Sequence, residues 1–268
     1  MERLKAGWVS RLLSLVGIAS GSPPAVQAAS DDAPRAANLH EGFPYEIVSI
    51  KGSEALETWT RLCGAGRGWP VVVGGDDDLR TIAEAFKFNT ESTSQTIAEV
   101  IKAAETIKVP EDIKAWHLYM TDGDGDLDEP VGEWPANVPK SDLALTVARN
   151  IHTGKPLERV HVVLLPTENG WEGPAYLRWG GWNACPPAEY HVAILRSWHE
   201  RFGAKLAGLR GDVINLNIAL PLHQRDIAMA VAHEQYEYCP DIVEQGTNDI
   251  SSLAASLINA RWWYFWWD

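Results

Sequence analysis

The sequence predicts a mixed α/β (α+β) fold, on three observations. Runs such as "YEIVSI", "PVVVGG" and "RVHVVLLP" are short, rich in β-branched residues and bounded by Gly or Pro, which marks them as strands. Between them lie stretches with apolar residues three and four apart, the period of a helix with one buried face. In the C-terminal part the patterns alternate as strand, helix, two strands, helix, extra helix, strand. That order is close to the split βαβ arrangement of a ferredoxin-like sheet, preceded here by a smaller α/β region.

Residues 45–50 form the first strand, and Ser53 is placed to cap a helix with Leu56, Trp59 and Cys63 on one face. "GAGRG" (64–68) follows a helix and precedes a strand, the reverse of a dinucleotide loop, so it is a turn. Residues 71–73 are a strand apolar on both faces. Asp76, Asp77 and Asp78 open the next helix, whose stripe is Leu79, Ile82, Ala83 and Phe86. A strand, two glycines and a helix start could cradle an anion, but three aspartates repel one. Ile97, Val100, Ile101 and Ala104 mark another helix, and "IKAWHLYM" is expected to return as a strand. Beyond residue 158, "RVHVVLLP" is a strand, and prolines open a helix carrying Val192, Leu195, Trp198 and Phe202. Gly203 ends that helix. A hairpin turns at Gly211, and a helix over 224–238 stops before Pro240. Ile250, Leu253, Leu257 and Ile258 share a helix face, and "RWWYFWW" is a strand of residues that favour pleated backbone. Its aromatic residues on both sides predict a strand covered on both faces, inside the sheet or beside its centre.

The chain has 268 residues, 46% of them hydrophobic, and a net charge of -13. No cluster of Lys and Arg is present to hold phosphates, so nucleic acid is not an expected partner. Arg3, Lys5 and Arg11, the apolar "LLSLVGIAS" and the small residues of "VQA" read as a secretory signal over residues 1–28. The predicted location is therefore exported, periplasmic or secreted, or cytoplasmic if the start site is miscalled. No membrane span is expected in the mature chain. The expected organisation is a flexible lead-in over 29–44, an N-terminal α/β region over 45–120, an acidic, Pro-rich linker over 121–157 and a C-terminal domain over 158–268.

"TDGDGDLDEPVGE" places Asp122, Asp124, Asp126 and Glu133 at the first, third, fifth and twelfth positions of a calcium loop. Leu127 stands where that loop needs Gly, so a solvated acidic linker is the better reading. The three cysteines, Cys63, Cys185 and Cys239, lack zinc-site spacing. Export would permit one disulfide, with Cys185–Cys239 the candidate pair. His233 and Glu237 share a helix face that reads as solvated.

"LRWGGWNACPPAEYHVAILRSWHERFGA", "YCPDIVEQG" and the terminal "FWWD" resemble the bacterial family called domain of unknown function 4253, most strongly over residues 166–268. A weaker likeness covers "GWPVVVGG" and "GEWP". The resemblance implies no activity or cofactor. Members generally look cytosolic, so the apparent signal is a departure. Within the motifs, Trp182, Asn183, Glu189 and Gln245 are candidate ligand-binding residues. Thirteen tryptophans, eight of them from Trp171 onward, point to a non-catalytic binding module with an aromatic-lined cleft for a protein or small molecule. Trp182 and the terminal strand are expected to share that cleft. The alternative is a thiol-dependent or hydrolytic enzyme, with Cys185 activated at a helix N-terminus beside His191 and Asp241. A third reading makes Asn183, Asp241 and Gln245 caps and loop braces.

Overall fold

A computed structural model describes residues 43–121, 129–137 and 144–268. The signal segment, most of the lead-in and Asp122, Asp124 and Asp126 lie outside the described residues. In chain order the elements are β1 (Glu46–Ile50), α1 (Ala55–Cys63), β2 (Trp69–Gly74), α2 (Asp76–Ser92), α3 (Ile97–Ala104), α4 (Glu111–Met120) and β3 (Val160–Leu165). There follow α5 (Gly173–Leu177), α6 (Ala188–Phe202), β4 (Ala204–Leu209), β5 (Val213–Ile218), α7 (Arg225–Tyr238), a π-helical turn (Ile242–Thr247), α8 (Ile250–Leu257) and β6 (Trp262–Trp266). No described helix is long and apolar enough to cross a membrane.

The fold is mixed α/β, built on one six-stranded sheet in the order β1-β3-β2-β4-β5-β6. Among the described strands only β2 and β4 pair in parallel. One face carries Val71, Val73, Val163 and Leu165 and packs on α2, α6, α7 and α8 through Leu79, Ile82, Trp198, Val231 and Leu253. The other carries Val72, Val160, Val162 and Leu164 and packs on Ala55, Trp59 and Leu62 of α1 and on Leu145, Val147 and Ala148. Gly208 makes that second layer possible, because a β-carbon there would sit 2.5 Å from Val147 Cγ2.

Several expectations are corrected. The C-terminal elements occur in the predicted order, but they do not pair as a ferredoxin-like sheet. Strand β2, apolar on both faces, is inserted between β3 and β4. The described parts of the expected acidic, Pro-rich linker over 121–157 do not separate two sheets: strands from both sides of it share one sheet, and Leu145, Val147 and Ala148 are core residues. The carbonyls of Pro130 and Val131 accept from the Ile250 and Ser251 amides at 2.8 and 2.9 Å, and so cap α8. "IKAWHLYM" is helix α4 rather than a strand, because Ile113 is buried and Trp116 packs on Tyr190 at a helical spacing. The stripe of α1 is Ala55, Thr58, Trp59 and Leu62, which leaves Leu56 exposed, and Ser53 lies in a 3-10 turn without capping. The face with His233 and Glu237 is not simply solvated: His233 pairs with Glu129 at 3.1 Å and Glu237 with Lys114 at 3.4 Å.

The terminal strand is an edge strand, not an inner one. Trp263, Phe265 and Trp267 point into the helical layer and are at most 2% exposed; Trp262, Tyr264 and Trp266 are half-buried on the other face. Burying each inward ring contributes roughly 1.5–3 kcal/mol, so the strand closes the core along one face.

Candidate functional site

The family-like motifs converge on the end of this strand. Gly180 has φ 113°, and a β-carbon there would meet the Pro186 carbonyl at 2.4 Å and the His191 ring at 2.8 Å. Only glycine permits that close approach. The loop it allows carries Asn183, whose Nδ2 donates to the Asp268 carbonyl at 2.9 Å. Asp241 accepts the Asp268 amide at 3.0 Å through one oxygen and Gln245 Nε2 at 2.9 Å through the other. Cys239 Sγ donates to the Trp266 carbonyl at 2.9 Å. These are braces: two distant sequence motifs hold the end of the third, the terminal strand, in place. The ring of Trp182 packs edge-on against Trp179 at 4.8 Å. Glu189 lies in the first turn of α6.

Behind the brace lies a closed box. His191, fully buried on α6, contacts Cys185 Sγ at 3.4 Å through Nε2 and the Tyr238 hydroxyl at 2.6 Å through Nδ1. The rings of Trp179, Trp267 and Tyr238 surround it, with centroids 4.7 to 5.4 Å away. Burial lowers the His191 pKa from the ordinary 6.5 to about 3. Burial, and secondarily Cys239, push the Cys185 thiol far above its usual range. The box therefore holds a neutral imidazole and a protonated thiol, the opposite of the lowered-pKa thiolate expected at a helix start. Asp241 makes its side-chain contacts to the chain end and Gln245, not to His191. All three cysteines are free, and Cys185 and Cys239 are not joined.

Two open hollows flank β6. Trp182 lines neither. The smaller, about 240 Å³, runs between the strand and the helical layer; its walls include Trp262, Trp263, Tyr264, Trp266, Leu253 and Gln235. Gln235 is 1% exposed, and its Nε2 has no hydrogen-bond partner among the described residues. The backbone adds donors and acceptors. The Ile218 amide donates to the Arg261 carbonyl, and the Trp267 amide to Asp212. By antiparallel alternation Trp262, Tyr264 and Trp266 turn their peptide groups outward, away from β5. The larger hollow, about 700 Å³, is lined by Thr146, Arg149, Asn150, Ile151, Arg210 and Tyr264, among others.

A further cluster was not foreseen. Asp76, at the start of α2, accepts from Arg159 Nε at 2.8 Å and contacts His161 Nε2 at 2.7 Å. His161 Nδ1 in turn meets Ser49 Oγ at 2.9 Å. The Arg159 hydrogen bond, with His161 secondarily, lowers the Asp76 pKa. The one signal for it was a lone histidine in an apolar strand. No group of three or more His, Cys, Asp or Glu side chains suited to a metal exists among the described residues.

No curated protein and no solved structure matches the chain. Residues 161–268, a stretch that takes in the brace, the box and β6, are similar to the family described as Domain of unknown function (DUF4253), whose model they fit.

Proposed function

We propose that the protein is a non-catalytic binding module and that the aromatic groove along β6 is its ligand site. The observation that carries this is Gln235. A buried amide donor without a partner costs roughly 1–3 kcal/mol, and this one lies on the wall of a groove lined by four aromatic residues of one strand. A ligand that brings an apolar ring and a single hydrogen-bond acceptor would satisfy it. Catalysis through Cys185 finds no comparable support, because its thiol is buried and protonated. Export also belongs to this proposal, and mass spectrometry of the mature N-terminus tests it.

Acetophenone, a ring with one carbonyl, is the simplest probe. Titration should shift the indole N–H resonances of Trp262 and Trp266 saturably. Gln235→Leu should abolish that response while raising unfolding stability by about 1 kcal/mol, because an unpaired donor is removed. A response that survives in Gln235→Leu, or no saturable response at all, would exclude the groove as the site.

A further inference from the structure

We propose a second ligand site: the larger cleft on the outer side of β6 takes a small organic anion with a flat apolar body. The chain has 36 acidic and 23 basic residues, yet among the described residues the lining carries two arginines and no carboxylate. Among the described residues Arg149 has no ion pair, and Arg210 has a single long one. Arg149 Nη1 donates to the Gly154 carbonyl at 2.9 Å, a neutral partner. Arg210 Nε stands 3.5 Å from Asp212, too far for a strong charge-assisted bond, although its side chain is only 20% exposed. A partly desolvated guanidinium with spare donors calls for an anion of planar, multi-oxygen geometry.

The rest of the lining fits that ligand. Asn150 Oδ1 already accepts the amides of His152 and Thr153, so its amide nitrogen is the group left to donate. Thr146 is fixed by donating to Asn215 Oδ1 at 2.9 Å and forms floor rather than ligand contact. Tyr264 offers a ring face, supported from behind by Trp266 at 5.5 Å, and Ile151 supplies exposed apolar surface. Donors at one part of the lining and an aromatic face at another select an aryl or similarly flat carboxylate or phosphate. A volume of about 700 Å³ lies within the common range for small-molecule sites, roughly 300–1,000 Å³.

Benzoate and phenyl phosphate distinguish the two anion chemistries, with benzyl alcohol as the uncharged control, each titrated into the full chain by calorimetry. One of the two anions should bind saturably, and more weakly as salt rises. The alcohol should not bind. Arg149→Gln and Arg210→Gln should each weaken binding roughly tenfold or more, the loss of a charge-assisted contact. Lys102→Gln, on α3 in the helical layer across the sheet, and Gln235→Leu should leave it unchanged, so this site and the groove are tested separately. Absence of binding by both anions, or affinity unchanged in the correctly folded Arg149→Gln protein, would overturn the proposal.

Discussion

Two histidines in this molecule are equally buried and lead opposite lives. His161 is 2% exposed and His191 0%, and each ring nitrogen of both has a partner. His161 faces Asp76, whose charge Arg159 helps to hold, together with a hydroxyl. His191 faces a thiol, a phenol and tryptophan rings, none of which compensates a positive charge in a buried site. Burial alone does not set what a histidine can do; the charge of its neighbours decides.

The largest test of that contrast is to open the box. Trp267→Ala removes a ring that packs on His191, Trp179 and Tyr238. It should cost about 3–5 kcal/mol by chemical denaturation. A loss below 1 kcal/mol would mean that β6 is not the closure described above. Acid comes next. Unfolded, His191 binds its proton near pH 6.5; folded, it does so only near 3. Its contribution is thus complete above about 6.5 and is lost as pH falls toward 3, on the order of 5 kcal/mol across that window. His191→Phe should cost about 1–2 kcal/mol at pH 8, since the Tyr238 hydroxyl loses its partner, yet it should flatten this slope. An identical slope in the variant would place the acid sensitivity elsewhere. The smallest effect belongs to the other histidine. Asp76 has a lowered pKa and is partly exposed, so its contribution is present above the usual carboxylate range near 3.8 and fades below it. Asp76→Asn should cost about 1 kcal/mol at pH 7, after allowance for solvent screening. Chemical denaturation at pH 7 and again below pH 3 measures that cost and its fading. An undiminished loss in acid would show that the Asp76 charge is not what stabilises the cluster.

The sequence disclosed what periodicity can disclose. Strands β1, β2 and β3 and helices α2, α6, α7 and α8 follow apolar spacing, and their order is read directly from it. Pairing is not: nothing in "PVVVGG" says that it lies beside residues 160–165 rather than in a sheet of its own. "IKAWHLYM" carries both periods, and the contact between Trp116 and Tyr190 decides for helix. The site was half legible. Asn183 and Gln245, candidates for ligand binding or for bracing, and Asp241, a candidate for catalysis or for bracing, share hydrogen bonds at the strand end. Gln235 was missed because an amide within "HEQYEY" looks solvated until α7 is packed. Arg149 and Arg210 stand 61 positions apart, and only the fold brings them to one cleft.

The position of β2 has a consequence for inheritance. Residues 161–268 supply β3, β4, β5 and β6, but the strand joining β3 to β4 comes from residues 69–74. A gene segment cut at His161 would transplant two pieces of sheet with a gap between them. The unit that recombination can move intact therefore reaches back to include β2, and the boundary drawn by sequence likeness is narrower than the boundary drawn by hydrogen bonds.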